Sequence, residues 1–446
     1  MGLTQSKARE GGARAGKSKF SKKVLDAGLR AIFASFISDL ASAPGREEPA
    51  WKPTRARGII APMTSKELVD LAMRRERPPR TPVMCQLANG HTVINTGVHP
   101  IEYFTDDEVW ADCLLRIRAK YEFDGILCHK PGRVHGIWDL VERSDYDADV
   151  PTLYLKDGSR IECTRDDDAY YKVSPDFHRP EPEELDVDDL FGWAPDSFIA
   201  FQASKATLPI SDPDAFPDHV FGTLDRVIAA VGDEYSIHGE VRAPFDHYLN
   251  LTDIEPGMIA LLTEPDVVLA ILEKTTEWSI ALAVAQVRRG AAAIKVSSPF
   301  AGGSFLSRAM YEDFILPFET RLAQAVRDAG APVYTHTCGA IGDRLDLLCA
   351  AGVSGIECLD PPPLGNVDIR EAVDQLNVKI FIKGNVDPVN TLLRGDLEQV
   401  DSDVNNILDA ARDMSGFILS SACSVAPPAP PDNLKRMVEL CHQFKA

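Results

Sequence analysis

Three residues of this sequence have types and positions that suit metal chemistry. His336 and Cys338 stand in the run Tyr-Thr-His-Thr-Cys-Gly, and Cys423 lies 85 residues after Cys338. Each one ends or follows a run of apolar and β-branched residues that is typical of a strand. One imidazole and two thiolates form a three-ligand zinc site whose fourth position is left for a substrate. Such an open site predicts an enzyme rather than a structural zinc finger.

The spacing of the first two residues brings them together on one strand. Side chains alternate along a strand with a period of two, so His336 and Cys338 lie on the same side. A set rich in thiolates selects a soft or borderline ion, and zinc is the first expectation. Free cysteine is also commonly a small buried apolar residue. From the residues alone both interpretations stay open, and three further cysteines are interpreted as core residues: Cys349, Cys358 and Cys441.

The chain that must position these residues alternates short β-rich runs with helical stretches. The predicted strands are Val83–Ala88, Gly125–Cys128, Tyr235–Val241, Ala292–Ser298, Val333–Cys338, Gly355–Leu359, Lys379–Asn385 and Gly416–Ser421. The predicted helices between and after the later strands include Arg308–Asp328, Asp343–Ala351, Leu397–Asp413 and a closing helix after Pro430-Pro431. Eight strand–helix units predict an α/β fold, a (β/α)8 barrel of the TIM type, with its reacting groups at the C-terminal ends of the strands.

Two segments depart from this rhythm. Residues 1–60 form a basic N-terminal extension in which apolar residues from Phe20 to Leu40 recur at helical spacing. This pattern predicts an amphipathic helix that packs on the core or on a second subunit, with a membrane-surface helix as the alternative. Residues 61–446 are assigned to the barrel, with an insertion at 131–222 after the second strand.

The insertion contains a predicted hairpin and an acidic run. Residues 152–163 indicate two strands that turn at Asp157-Gly158. Six carboxylates follow between Glu181 and Asp189 and are interpreted as a solvated surface. The alternative is a lid or a docking element, because the insertion follows a strand that ends at the catalytic face of the predicted barrel.

Composition excludes several classes of function. A formal net charge of −20 argues against nucleic acid as a partner, because a phosphate backbone would be repelled. Nine scattered cysteines do not form a disulfide scaffold and suit a reducing cytosol, so a cytoplasmic location is expected. No apolar run is long enough to cross a bilayer, and a membrane partner is not expected.

Several motifs in order carry a family resemblance. They are His336-Thr-Cys-Gly339, Ile382-Lys-Gly-Asn-Val-Asp-Pro388, Leu392-Leu393 with Gly395, Gly416-Phe-Ile-Leu419, Cys423-Ser-Val425, Pro430 and Asn433-Leu434. From about residue 62 to the C-terminus the sequence resembles the uroporphyrinogen decarboxylase superfamily. The resemblance implies a (β/α)8 barrel, as the strand–helix rhythm indicated independently.

The superfamily has two chemistries. Its decarboxylases bind a tetrapyrrole with an arginine-rich segment near the first strand, whereas residues 82–91 of this chain contain no arginine. Where the family often has an aspartate on the fourth strand, this chain reads Val296-Ser297-Ser298. The cobalamin-dependent methyltransferases look like this chain in their zinc ligands, His-x-Cys followed by a distant Cys. The departures and the match therefore favour the methyltransferase branch.

The resemblance implies a zinc-dependent methyltransferase. It would move a methyl group between a corrinoid and a small methylated donor or acceptor, such as a thiol, a folate, a methyl ether or an amine. No Asp-x-His-x-x-Gly motif for cobalamin occurs here, so the corrinoid is expected on a separate partner protein. The alternatives are a metal-free carboxy-lyase of the uroporphyrinogen decarboxylase type and a non-catalytic corrinoid-binding or membrane-associated scaffold. The methyl donor, the direction of transfer and the oligomeric state stay open.

Further site candidates stand at predicted strand ends. Glu240 and Asn385 are the candidate catalytic residues. Glu240 and Glu357 are also candidate fourth zinc ligands, although strand-end carboxylates serve equally in ion pairs. Asp387, before a proline, is interpreted as a helix N-cap. His91 and His238 are interpreted as core histidines rather than acid–base groups.

Overall fold

The described part of the chain is rich in both strands and helices. The structure is a computed structural model that describes residues 63–133, 136–174 and 177–444, so the predicted extension 1–60 and its helix lie outside it. The strands are β1 Gly125–Cys128, β2 Val141–Asp145, β3 Thr152–Leu155, β4 Arg160–Cys163, β5 Ala169–Lys172, β6 Ser236–Arg242, β7 Ala293–Ser297, β8 Val333–Thr337, β9 Gly355–Cys358, β10 Phe381–Val386 and β11 Phe417–Ser421.

Helices precede, connect and follow these strands. The first eight are α1 Ser65–Met73, α2 Asn89–Thr96, α3 Pro100–Thr105, α4 Asp107–Tyr121, α5 Ile137–Leu140, α6 Asp196–Ser204, α7 Gly222–Val231 and α8 Pro244–Thr252. The later ones are α9 Ile254–Thr263, α10 Pro265–Arg288, α11 Arg308–Phe314, α12 Leu316–Asp328, α13 Leu345–Ala350, α14 Ile369–Leu376, α15 Leu397–Ala410 and α16 Pro431–Gln443. No described helix combines the length and the apolar composition that crossing a bilayer requires.

Seven strands form one curled parallel sheet. Its order is β1-β6-β7-β8-β9-β10-β11, and every neighbouring pair is parallel. The predicted first strand is present as two parallel bridges to the far edge of the sheet, Val83 to Leu419 and Leu87 to Val425. On its other side the Asp124 N–H donates to the Val83 carbonyl at 2.8 Å, next to β1. This is a mostly parallel, TIM-barrel-like α/β fold, as the sequence predicted.

The lower interior of the curled sheet is apolar. A separate buried cluster joins residues from five strands and from the segment before β1 with one face of α1. Its members are Val69, Ala72, Met73, Met84, Leu127, Ala293, Tyr334, Phe381 and Ile418. Helix α1 begins at a complete capping box between Thr64 and Glu67, which fixes where its apolar face starts. The cluster forms an apolar layer that closes the interior of the sheet on the side of α1.

Two residues further along the same strands, the interior becomes polar. Because strand side chains alternate with a period of two, these residues face the same interior one layer higher. They are Gln86, His129, Lys295, His336, Lys383 and Ser420. Charged and polar groups therefore concentrate at the C-terminal ends of the strands, where parallel barrels carry their active sites.

The insertion folds as a small sheet of its own. Strands β2, β3, β4 and β5 form an antiparallel sheet in sequence order. The predicted hairpin is confirmed as β3 and β4, with Gly158 at φ +83° in the turn and the Asp157 carboxylate accepting the Ser159 N–H at 2.9 Å. The carboxylates between Glu181 and Asp189 are exposed apart from Asp189, which is half-buried, in agreement with a solvated surface.

One predicted helix is wrong in its continuity. The stretch Arg308–Asp328 forms two helices, α11 and α12, which are broken at Ile315. Pro317 stands in the first turn of α12, where its missing N–H costs nothing. The same proline has no N–H to donate to the Asp313 carbonyl one turn earlier, so the hydrogen bonds of one continuous helix cannot all form there.

Candidate metal centre

The three predicted metal ligands converge. The His336 Nε2 atom lies 3.3 Å from the Cys338 Sγ and 3.8 Å from the Cys423 Sγ, and the two sulfurs are 3.5 Å apart. His336 is buried, whereas both cysteines are partly exposed. The histidine side of the centre is therefore enclosed by the sheet, and the cysteine side is accessible to solvent at the strand ends.

These separations suit a tetrahedral ion. Two Zn–S bonds of about 2.3 Å at a tetrahedral angle place the sulfurs about 3.8 Å apart, and a sulfur and an imidazole nitrogen about 3.6 Å apart. The two sulfur–nitrogen separations, 3.3 and 3.8 Å, bracket the ideal value, and the sulfur–sulfur separation of 3.5 Å is slightly shorter than the ideal one. The donor set of one imidazole and two thiols therefore fits zinc.

A fourth candidate donor, Cys358, lies in the cluster; it is buried, as the sequence interpretation had it, but its proximity to the other three was missed. Cys358 was assigned to the core, yet its sulfur lies within 4.8 Å of the other three ligand atoms. Cys358 ends β9 with φ +87°, a left-handed backbone that a side chain rarely adopts. This kink turns the thiol towards the centre, whereas regular alternation after the inward-facing Glu357 would turn it away.

The loop that presents Cys338 is fixed by backbone contacts. Gly339 follows with φ +75°, so the chain turns at once after the ligand. The Gly339 N–H donates to the Asp360 carboxylate at 2.7 Å. A Cβ at Gly302 would lie 2.3 Å from the Cys338 carbonyl, so only glycine allows this approach. The position of the Cys338 sulfur is thus set by its neighbours before any ligand binds.

Glu357 organises the charges beneath the centre. Its carboxylate is 3.0 Å from the His336 Nδ1 and 3.4 Å from the Lys295 Nζ, and it accepts a hydrogen bond from the Lys383 Nζ. Burial alone would raise the pKa of Glu357, but Lys383, Lys295 and His336 hold it well below its usual value. The anionic carboxylate keeps the proton of His336 on Nδ1, which leaves Nε2 for a metal.

The thiols differ in their ease of ionisation. Hydrogen bonds from Cys338 and Cys358, with His336 beside them, hold the pKa of the Cys423 thiol far below its usual range. Burial and the neighbouring sulfurs raise the pKa of Cys358 instead. Cys423 is therefore poised as a thiolate, the form that binds metals.

Glu240 stands next to this network at the entrance. Its carboxylate is 3.2 Å from the Lys295 Nζ and 3.3 Å from the His129 Nδ1. Burial would raise the pKa of Glu240, but these two neighbours lower it to about 2. Glu240 lines a cavity of about 240 Å³ whose walls also include Asp246 and Ser424, the residue after Cys423. The structure thus brings this predicted catalytic residue to an open space beside the metal centre.

Asn385, the other predicted catalytic residue, is not among the residues that line this cavity. Its amide donates to the Leu359 carbonyl at 3.0 Å, directly after Cys358, and its Oδ1 has no partner among the described residues. Asp387 accepts the N–H groups of Val389 and Asn390 at 2.7 Å, as an N-cap does, but the turn that follows does not continue as an α-helix.

Two histidines are satisfied core residues, as interpreted from the sequence. The His91 ring bonds to the Tyr121 hydroxyl at 2.8 Å and to the Ala426 carbonyl at 3.1 Å. The His238 ring lies between the hydroxyls of Ser236 and Tyr334, and burial lowers its pKa to about 3. Neither ring is placed to exchange protons with a substrate.

Sequence reasoning missed the two central lysines. Lys295 and Lys383 have no exposed surface, although each is the one charged residue inside an apolar strand, Ala-Ile-Lys-Val-Ser and Phe-Ile-Lys-Gly-Asn. A lone lysine in a buried strand needs a carboxylate partner, and that signal was present in the sequence. Asp246, which lines the cavity, was also missed. Burial raises its pKa well above the usual value, although Arg242 opposes the shift.

Glu319, in the first turn of α12, makes the free energy of unfolding depend on pH. Only 3% of it is exposed, and burial raises its pKa from 4.5 to about 7, although the hydroxyls of Ser298, Thr335 and Tyr311 oppose the shift. Between these values the unfolded chain ionises and the folded chain does not, so the free energy of unfolding falls as pH rises, by up to about 3 kcal/mol.

Glu319→Gln is therefore expected to be more stable than the wild type at pH 8 and nearly equal to it at pH 4. Denaturant titrations at both pH values check this. The exposed Glu398→Gln serves as the control and is expected to follow the wild type. Parallel pH profiles for the wild type and Glu319→Gln would show that Glu319 ionises normally.

Comparison with known proteins places the chain in a family. The family profile described as uroporphyrinogen decarboxylase (URO-D) matches residues 198–444, more than half of the chain. The chain belongs to the uroporphyrinogen decarboxylase family. A URO-D relative, the uroporphyrinogen decarboxylase of Geobacter sulfurreducens, is 30% identical over 275 residues, which are 59% of this chain and 76% of the relative.

Another protein with sequence similarity to this URO-D family chain is a methyltransferase. The methylcobamide:CoM methyltransferase MtbA of Methanosarcina acetivorans is 29% identical over 214 residues, 48% of this chain and 60% of the relative. The chain therefore spans less than two thirds of that protein. A solved methyltransferase from Methanosarcina mazei superposes with a TM-score of 0.64 at 18% identity, covering 86% of this chain and 99% of that one. This likeness shows the shared fold.

Proposed function

We propose that this protein is a zinc-dependent methyltransferase that moves a methyl group between a small substrate and a corrinoid carried by a separate protein. The observation that carries the proposal is the convergence of the His336 Nε2 and the sulfurs of Cys338 and Cys423 within 3.8 Å of one another. The similarity to a methylcobamide:CoM methyltransferase supports the same chemistry.

His336, Cys338 and Cys423 would hold the zinc, and Cys358 would occupy the fourth position when no substrate is bound. Zinc in such a site supplies Lewis acidity, which keeps a sulfur nucleophile ionised near neutral pH. Glu357 orients the imidazole by accepting its Nδ1 proton. Cys423, poised as a thiolate, provides negative charge that offsets the ion.

Around this centre the chain positions the substrate. Glu240 is anionic and faces the cavity, so it would accept a hydrogen bond from the small substrate. His129 and Lys295 hold the Glu240 carboxylate in place. Asn385 would act indirectly, by fixing the Leu359 carbonyl and with it the kinked end of β9. The cavity of about 240 Å³ is smaller than the 300–1,000 Å³ typical of drug-sized ligands, so it suits a small donor or acceptor.

The decarboxylase alternative has one observation in its favour, the relative from Geobacter sulfurreducens. Against it stands the segment 82–91, which carries no arginine to bind a substrate with many carboxylates. A metal-free decarboxylase also has no use for a cluster of three thiols and an imidazole. The two functions differ in their response to a chelator.

The decisive test is methyl transfer by the purified full-length chain. We expect the chain to methylate reduced cobalamin, followed by its absorbance, with at least one donor from a panel of methyl thiols, methylamines and methyl ethers. Activity should vanish with a chelator and return with zinc. Chelator-insensitive release of CO₂ from a tetrapyrrole acid, with no cobalamin methylation by any donor, would replace this proposal with the decarboxylase.

A further inference from the structure

A group of buried cations lies around the cavity that Ser424, the neighbour of Cys423, also lines. Lys130 and Lys205 line both the cavity of about 240 Å³ and a smaller one of about 30 Å³ next to it. Arg133 lines the smaller cavity. Lys130 follows β1, and Lys205 follows α6 of the insertion, so the insertion completes the group.

These cations have too few partners. Arg133 is 1% exposed, and its Nε and Nη2 have no hydrogen-bond partner among the described residues. Its guanidinium lies on the Trp110 ring, 3.5 Å from the centroid, which holds it without neutralising it. Lys130 is 9% exposed, and its Nζ makes no hydrogen bond or ion pair with any residue that the structure describes.

One carboxylate faces the lysines. The Lys205 Nζ donates to the Asp168 carboxylate at 2.5 Å, and no second carboxylate is paired with Lys130 in the described chain. Glu240, which also lines the larger cavity, is paired with Lys295 instead. Near Arg133, the Asp107 carboxylate accepts the backbone N–H of Arg133 at 2.6 Å, and its charge partly offsets that of the guanidinium. The three cations therefore face two carboxylates, Asp168 and Asp107, and keep an excess of positive charge inside a protein whose net charge is −20.

A buried cation without a counter-charge is costly, and proteins keep such groups where a ligand supplies the charge. Burial, and then the neighbouring Lys205, lowers the pKa of Lys130 well below its usual value. An anion in the cavity would reverse that shift and relieve the repulsion. A general surface patch is excluded, because the groups are buried within cavities.

We propose that Lys130, Arg133 and Lys205 form a subsite that binds an anionic group of the small substrate. The group would be an oxyanion such as a carboxylate, a sulfate or a phosphate. This inference deepens the proposed function, since it makes the methyl donor or acceptor an anionic molecule. The occupant is small, because the cations are buried beside a cavity of only about 240 Å³. The metal centre and the subsite flank the same cavity, through Ser424 and Lys130 respectively.

Calorimetric titration of the full-length chain with sulfate, phosphate and butyrate tests the subsite, with 1-butanol as the neutral match for butyrate. We expect saturable binding of at least one of the anions and none of the alcohol. Lys130→Met and Lys205→Met should weaken the Kd at least about tenfold, because each removes one charge-assisted hydrogen bond. Lys172→Met, which removes an exposed lysine of the insertion, is the matched control and should bind like the wild type.

Two further readouts separate recognition from folding. Lys130→Met removes a buried charge that shares its one facing carboxylate, Asp168, with Lys205, so its thermal midpoint without anion should rise while anion binding is lost. Asp168→Asn removes the one facing carboxylate and should tighten anion binding. Absence of saturable binding in the wild type, or equal binding in Lys130→Met and Lys172→Met, overturns the subsite.

The titrations are repeated on chelator-treated protein, so that the two proposals fail separately. Anion binding by the chelator-treated protein supports the subsite. If the zinc-loaded protein nevertheless methylates no corrinoid, the methyltransferase proposal fails while the subsite stands. Zinc-dependent methyl transfer by a wild type that binds none of the anions keeps the function and overturns the subsite.

Discussion

Replacing Cys338 or Cys423 by alanine is expected to abolish zinc binding and methyl transfer together. A structural zinc site contributes roughly 10–16 kcal/mol, so each of four ligands supplies about 3–4 kcal/mol, or 10²–10³-fold in Kd. Metal analysis should give about one equivalent of zinc in the wild type and almost none in either variant. Methyl transfer should fall by about 10³-fold or more, because the Lewis acid is lost.

Cys358→Ala separates a resting ligand from an essential one. If Cys358 occupies the fourth position only until substrate binds, this variant should keep zinc and activity but lose the metal faster to a competing chelator. Substitution with cobalt(II) gives a second readout, since the thiolate absorption should weaken with one sulfur fewer. Cys349→Ala, a half-buried thiol on α13, is the control for loss of a cysteine.

Two results would contradict this assignment of ligands. Less than half an equivalent of zinc in the wild type, unchanged by Cys338→Ala and Cys423→Ala, would exclude a metal centre at these residues. Full activity of either variant would exclude a role for the centre in the reaction.

The second large effect is expected from Glu357→Ala, which should destabilise the fold by about 3–5 kcal/mol. Lys383 would then be fully buried, and among the described residues its remaining hydrogen-bond partner would be the Ser420 hydroxyl at 3.4 Å. Lys295 would keep Glu240 at 3.2 Å. Chemical denaturation measures the loss, and Glu273→Ala, which breaks the exposed pair with Arg321, should change stability by less than about 1 kcal/mol.

A double variant identifies the cause. Glu357→Leu with Lys383→Met replaces the buried pair by apolar side chains, and most of the lost stability should return. Zinc affinity should stay 10–100-fold weaker in both Glu357 variants, because the imidazole loses the partner of its Nδ1. Equal stability of Glu357→Ala and the wild type would show that the buried lysines are neutralised in another way.

The sequence predicted the TIM-barrel-like fold and the convergence of His336, Cys338 and Cys423 because both depend on simple periodicities. Strand–helix alternation indicated a parallel sheet, and seven of the predicted strands are confirmed within a few residues. His-x-Cys spacing placed two donors on one side of β8. The fold then had to bring Cys423 to them, and the observed separations agree with this expectation.

Cys358 could not be predicted in the same way. Alternation along β9 assigns opposite sides to Glu357 and Cys358, and the interior contacts of Glu357 make an outward Cys358 the natural expectation. The kink at φ +87° overrides that pattern. Backbone of this kind is chosen by tertiary packing, so a local sequence does not reveal it.

The partners of the charged residues were also beyond the sequence. Glu240 and Glu357 were candidates for the metal, but the register of the sheet pairs Glu240 with Lys295 and Glu357 with Lys383. Register is fixed by the whole sheet rather than by any one strand. The same holds for Lys205, which follows Lys130 by 75 residues yet lines the same cavity.

The candidate metal ligands and the proposed anion subsite come from different parts of the chain, and this separation has an evolutionary consequence. Among the described residues, the four candidate metal donors lie at or just after strand ends, whereas the insertion between β1 and β6 contributes Asp168 and Lys205 to the wall of the cavity. If the proposed subsite is right, mutations in the insertion would change which anions bind while His336, Cys338, Cys358 and Cys423 stay in place. Related proteins with this fold could therefore change substrate through sequence changes in the insertion alone.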